Sequence, residues 1–443
     1  MTAAAAVGLT MSAAQAQEAG SAGSLSEASS AAIGGLTAGG SNSDAGNSKY
    51  LYATQPEGQA LSEKMLRLRL PYGMQTGNFG YDGDGKKVAN GFNAKAAGGA
   101  FVLEYGLTNR ISLQFLMRYI SSMEVTVDAS TFKKSDLYKA TRDEVYTSKF
   151  GAGVTPENLS AVLTQKIAGA LVEQGACGTV VIASCVNNIN GGMTAPAALP
   201  ASATGLPSDI PAGAPLKGAL AQQASAINSA VESQILAGAK SAEKKGATGL
   251  GDTEIGVLYE VLAQKPVFFS VAGGLRLPTG KFTDISANEI PTSRGVYEFG
   301  LRTNLDLLPV DWFMISWQNQ AEAMVMKGKE KVGGKTEDAK RKGVRQVGFV
   351  YLKPSLVPLS RSLNVLAPRV GFTYDHDSAL YVGDQAVPPR SYQHNWLVGM
   401  GFDLTRLNVP LQLDLDYTQP FDGKNVAVAT GGLLATLKAY YVF

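Results

Sequence analysis

The chain has 443 residues, a net charge of +2 and 17% charged residues, so neither a nucleic-acid surface nor a polybasic membrane patch organises it. After the N-terminal stretch no run of about 18 apolar residues occurs, which excludes a helical membrane protein. Only a closed barrel would then span a bilayer, because lipid offers no partner for unpaired backbone groups.

Ala3 to Ala14 is small and apolar, and Ala14-Gln15-Ala16 matches the small-x-small pattern of a cleavage point. Residues 1–16 are therefore predicted to be an export signal, although no Lys or Arg precedes the apolar stretch. Residues 17–63 are rich in Gly, Ser and Ala; they are either a plug in a barrel lumen or a disordered periplasmic tail.

From residue 65 a period-two pattern begins and recurs to the end, predicting a barrel domain over 64–443. Leu66, Leu68, Leu70 and Tyr72 alternate with Arg67 and Arg69, and two more such runs cross 101–107 and 111–119. After a long break come strands near 255–261, 269–277, 297–307 and 313–322, then 343–355, 363–375 and 391–404. Leu411, Leu413, Leu415 and Tyr417 then alternate with Gln412, Asp414, Asp416 and Thr418. The strand near 343–355 is the least clear, since both of its faces carry apolar residues. The last eleven residues place Leu433, Ala435, Leu437, Ala439, Tyr441 and Phe443 on one face. An aromatic end with Tyr441 and Phe443 in phase resembles the closing-strand signal of bacterial outer-membrane barrels, implying the barrel-assembly machinery as a partner.

The count is twelve strands, and their connections alternate strictly between tight and long. Tight ones fall at 107–110, 263–266, 308–311, 358–361 and 405–408. This is the pattern of short periplasmic turns and longer outer loops. The fold class predicted is all-β: a transmembrane antiparallel β-barrel of about twelve strands, monomeric, in the bacterial outer membrane.

If the apolar faces touch lipid, the lumen receives Arg67, Arg69, Glu104, Arg118, Glu254, Arg276, Glu298, Arg302, Glu322, Arg369, Asp414, Asp416 and Lys438. Both signs are interspersed, so ion pairs are expected to occlude the interior in part. Such charges either shape solute passage or only hold the barrel's form.

A segment at 125–249 interrupts the strands and is too long for a structureless loop. Leu159, Val162, Leu163, Ile167 and Leu171 predict one amphipathic helix, and Leu216, Leu220, Ala224, Ile227, Val231 and Ile235 a second. Between them Cys177 and Cys185, eight apart, are expected to form a disulfide in an oxidising compartment. The insertion reads as a lid that gathers hydrophobic ligands or as a surface decoration.

Chemical motifs are scarce. His376, between Asp375 and Asp377, is read as a solvated residue at a strand-to-loop junction. His394, between Tyr392 and Trp396 on the apolar face, is read as part of an aromatic girdle. An outer-membrane phospholipase places a His and a Ser on such a face, but Trp396 stands where the Ser would be. No zinc spacing, phosphate loop or nucleophile elbow occurs, so neither an enzyme, a cofactor nor a metal is expected.

Three stretches carry a family resemblance: Tyr105-Gly106-Leu107-Thr108-Asn109-Arg110-Ile111-Ser112-Leu113, Gly249-Leu250-Gly251-Asp252-Thr253-Glu254-Ile255-Gly256-Val257-Leu258-Tyr259, and Gly274-Leu275-Arg276-Leu277-Pro278-Thr279-Gly280. In this order they resemble the outer-membrane barrel family named after the meta-pathway of phenol degradation. More loosely the chain is similar to long-chain fatty-acid transporters, without their plug motif in 17–63. The resemblance implies passage of small hydrophobic or aromatic solutes. The alternative is a barrel that anchors a surface-interaction protein whose insertion binds a partner.

Overall fold

The computed structural model describes residues 60–442 except 200–207, 245–247, 282–291, 294, 327, 333–334, 342, 379, 383–384, 387–389, 408 and 427. The signal at 1–16, most of 17–63 and Phe443 lie outside the described residues. Two units are distinguished: residues 133–240, and the rest of the chain.

The larger unit is a closed antiparallel barrel of twelve strands. In chain order these are β1 (Met65–Gly77), β2 (Phe92–Thr108), β3 (Ile111–Val127), β4 (Gly249–Gln264), β5 (Val267–Leu277), β6 (Glu298–Val310), β7 (Phe313–Met324), β8 (Val344–Pro354), β9 (Leu366–Asp377), β10 (Ser391–Asp403), β11 (Leu411–Lys424) and β12 (Gly431–Val442). Each pairs with its sequence neighbour, and β1 closes on β12 with Met65 opposite Val442. Closure leaves the barrel wall without a free edge strand, which a wall crossing lipid needs.

The period-two pattern became the two faces of the wall. Leu70, Tyr72, Leu113, Ile255, Leu275, Phe299, Val370, Trp396, Tyr417 and Leu437 are exposed outside, while the charged residues between them are buried inside. Strand β8 departs from this division: Val347, Phe349 and Tyr351 face inward and are buried, with Phe349 and Tyr351 stacked at 4.0 Å. That is why both of its faces read as apolar.

Tight and long connections alternate as expected, with two differences. The β8–β9 and β10–β11 connections hold 3-10 turns at Arg361–Val365 and Leu404–Leu407, so they are longer than the tight turns predicted there. Among the longer connections, the β7–β8 one is itself a hairpin (Gly328–Val332 and Lys335–Arg341).

The sequence motifs are explained by local bonds. The Thr108 hydroxyl accepts from the N–H groups of Arg110 and Ile111 at 3.2 and 3.1 Å, closing the β2–β3 turn. The motif around Gly251 meets the one around Gly280: the Thr279 hydroxyl donates to the Gly251 carbonyl at 3.0 Å, and a Cβ at Gly280 would lie 3.0 Å from the Leu250 carbonyl oxygen. Both motifs are therefore structural.

The second unit is helical. Its elements are α1 (Asp136–Phe150), α2 (Leu159–Glu173), α3 (Ile182–Asn190) and α4 (Leu216–Ser241), which ends one residue past the unit's boundary. The two predicted stripes are buried as helix faces, from Leu159 to Leu171 and from Leu216 to Ile235. Helix α1 was not anticipated. Its sequence is mostly polar, and it rests on a Ser135 N-cap and on Tyr138, Thr141 and Tyr146 as its buried side. Cys177 and Cys185 are joined as a disulfide.

Candidate functional site

The barrel interior holds the charged residues in three networks, each set by strand register. In the first, Glu254, Arg276 and Glu298 lie directly opposite one another on β4, β5 and β6. Arg276 donates to Glu254 at 2.7 Å, Glu298 at 2.5 Å and Glu322 at 2.6 Å, and Arg118 reaches Glu254 at 2.5 Å. Arg345, which the sequence reading passed over, continues the chain to Asp375 at 2.6 Å and lies 3.7 Å from Glu322.

In the second network Arg67 and Arg69 both grip Glu104, with 2.5 Å from Arg69. Gln114 donates to Glu104 at 2.7 Å, and its own carbonyl accepts from Arg302 at 2.5 Å. In the third, Arg369 binds Asp416 through two nitrogens at 2.6 and 2.7 Å and lies 3.2 Å from Asp414, which also binds Lys438 at 2.9 Å. All thirteen predicted interior residues thus sit inside the wall, with Glu254 the most accessible at 24% side-chain exposure.

Taking these charges out of water is costly, and mutual pairing offsets that cost only while every partner is in place. The networks therefore hold long side chains across the bore instead of leaving them mobile. A cavity of about 60 Å³ remains beside Gly256, Gly274 and Gly300, which face inward in register on β4, β5 and β6. Val102, Leu116 and Ala272 line its apolar part, and Arg276 and Arg302 its polar part. Room for a few waters is all that this volume offers.

Below this level the chain itself enters the bore. The N–H of Ala60 donates to the Glu260 carboxylate at 2.9 Å and that of Leu61 to the Ser112 hydroxyl at 2.8 Å. Both residues are buried. A Cβ on Gly106 would sit 1.9 Å from the Ser62 carbonyl oxygen, so the segment's path requires that glycine.

On the outside, His376 is exposed and stands next to last in its strand. It lies in β9, and its Nε2 stands 2.8 Å from Nε2 of His394 on β10. Nδ1 of His394 is 3.0 Å from the Asp422 carboxylate. Trp396 stacks on Phe421 at 4.5 Å in the place of the phospholipase serine, and neither ring is a nucleophile. Tyr441, of the closing-strand signal, is exposed on the outer face.

This architecture is that of an outer-membrane β-barrel. No family model matches the sequence, and no curated protein does. The structure is similar to the COG4313 outer membrane channel from Pseudomonas putida F1, with 12% identity, a TM-score of 0.51 and coverage of 90% of this chain and 100% of that one. That likeness establishes a shared fold. A Pseudomonas aeruginosa FadL homologue (9% identity, TM-score 0.34, 94% of this chain and 98% of that one) and the Ralstonia pickettii toluene transporter TbuX (9%, 0.31, 85% and 89%) are more distant and carry no further argument.

Proposed function

We propose that the protein is a monomeric outer-membrane channel or transporter for small hydrophobic or aromatic solutes, exported and inserted by the barrel-assembly machinery. The observation that carries this reading is the closed twelve-strand wall, apolar outside and charge-lined inside. Its outer face suits lipid, and the fold shared with an outer membrane channel supports transport. The solute class rests on the motif resemblance and on the apolar flank of the cavity at Val102, Leu116 and Ala272.

Passage is gated in this reading. Among the described residues the paired networks and the buried Ala60 and Leu61 narrow the bore, so in this reading solute moves as side chains yield. The resident charges orient polar groups of the solute and keep the wall rigid, and no bond is made or broken.

The test is single-channel conductance of the refolded protein, followed by uptake of labelled toluene by cells with and without it. Small or absent current with protein-dependent uptake supports the proposal. Large steady current would indicate a general porin, and no protein-dependent uptake would refute transport.

A second reading has one observation in its favour. Val180, Val181 and Ile182 are consecutive, exposed (Val180 by 90%) and bounded by the Cys177–Cys185 disulfide. If the barrel merely anchors a partner-binding insertion, deleting 126–248 leaves uptake unchanged and removes partner capture.

A further inference from the structure

The paired histidines on the outer wall have no part in transport through the bore. They lie at the long-connection end of the barrel, where β9, β10 and β11 run side by side. Tyr374 is directly opposite His394, and Tyr392 opposite His376, so the two imidazoles meet on a diagonal. A register shift between His394 and Asn395 against β11 sets Asp422 opposite His394. His376 is exposed, His394 and Asp422 are half-exposed, and His376 and Asp422 stand within two residues of their strand ends, so the group sits at the rim of the wall.

We propose that His376 and His394 form a surface binding site for a divalent transition metal, with Asp422 as the residue that positions His394. Asp422 accepts the Nδ1 proton of His394, which leaves Nε2 as a bare lone pair directed at His376. A carboxylate behind a ligating imidazole is the usual arrangement for fixing its tautomer and raising its basicity. Without metal, His376 donates its Nε2 proton to that lone pair, and the ring centroids, 5.0 Å apart, meet nearly end to end. To coordinate, the His376 proton moves to Nδ1 and both rings swing so that their lone pairs converge.

Two imidazole nitrogens brought together on adjacent strands suit a first-row divalent ion that favours imidazole, and Cu(II) stands highest in intrinsic affinity among these. Among the described residues no group of three or more His, Cys, Asp and Glu converges, so solvent completes the coordination. Tyr392 packs against both imidazoles at 5.6 and 5.0 Å, and Phe421 against His394 at 6.1 Å, which limits the freedom that binding must remove.

The test titrates Cu(II) sulfate into the full-length protein, free of any polyhistidine tag and washed with chelator, at neutral pH in detergent. Trp396, stacked on the Phe421 that touches His394, is expected to be quenched with one Cu(II) per chain. The Cu(II) resonance spectrum is expected to be tetragonal with coupling to two nitrogens. His376→Gln and His394→Gln each abolish this site, while Asp422→Asn weakens it by about 10- to 100-fold. All three changes lie on the outer face, and an unchanged heat-modifiable band shows that the barrel still folds. Absence of stoichiometric binding, or binding that survives either histidine change, overturns the proposal. An unweakened Asp422→Asn overturns the role of Asp422.

Discussion

Ala60 and Glu260 are 200 residues apart in sequence, yet the backbone N–H of the one donates to the buried carboxylate of the other at 2.9 Å. The bond fastens the chain leading into β1 to β4, three strands round the wall from β1. Glu260→Ala removes the acceptor and leaves a buried N–H unpaired, at about 1–3 kcal/mol. The expected outcome is release of the segment and a larger single-channel conductance, with Glu260→Gln close to the parent because an amide oxygen still accepts. Equal conductance in Glu260→Ala and the parent would show that Ala60 and Leu61 do not restrict the bore.

Arg276 stands at the centre of three carboxylates and is itself buried. Replacing it with Met preserves much of its volume but leaves Glu254, Glu298 and Glu322 facing one another. The expected loss is about 3–5 kcal/mol, read as a lower urea midpoint for unfolding in detergent. A companion variant tests the mechanism: Arg276→Met combined with Glu298→Gln removes one of the three clustered negative charges and should recover part of the loss.

Gly300 is neither in a left-handed conformation nor crowded; a Cβ there would meet only the Gln320 side-chain nitrogen, at 3.9 Å. Gly274 differs, since its Cβ would lie 2.9 Å from the Ile255 carbonyl oxygen. A glycine inside a strand costs about 0.5–1 kcal/mol relative to alanine, and at Gly300 the visible return is the cavity beside it. Gly300→Leu should therefore fold normally, fill that space and lower both conductance and uptake. Gly300→Ala should raise the unfolding midpoint slightly. If Gly300→Leu leaves both currents and uptake untouched, solute does not pass this wall.

Much of the barrel was legible because its physics is local. Alternation of Leu66, Leu68 and Leu70 with Arg67 and Arg69 fixes which face is wet, and the Thr108 turn bonds fix where the strand reverses. Pairing partners were not legible. That Arg276 would meet Glu322 depends on two registers and a side-chain reach across β6, none of which leaves a mark in either segment alone. The same holds for His376 and His394, which are 18 apart and read singly as a loop residue and a girdle residue. Strand β8 misled for a different reason: its inward face is lined by Phe349 and Tyr351, so lipid and lumen sides carry the same polarity.

Asp128 lies just beyond β3 at the head of the short helix Ala129–Phe132. Its carboxylate accepts from the Ser130 hydroxyl at 2.8 Å, the Thr131 hydroxyl at 2.9 Å and the Ser130 N–H at 2.9 Å. These bonds, the Ser130 hydroxyl first, favour the ionised form and lower its pKa from 3.8 to about 2. A depressed folded-state value means that the cap's contribution is full above the unfolded value and is lost as pH falls through about 2. Carboxyl-carbon NMR should accordingly find Asp128 titrating below the ordinary aspartate value of 3.8, with Ser130 and Thr131 amide shifts following the same curve. Ser130→Ala should move the midpoint upward, toward 3.8. Asp128→Asn keeps an acceptor at every pH, so its amide shifts should be flat through this range. A midpoint near 3.8 in the parent protein would mean that the hydroxyl bonds are absent in solution.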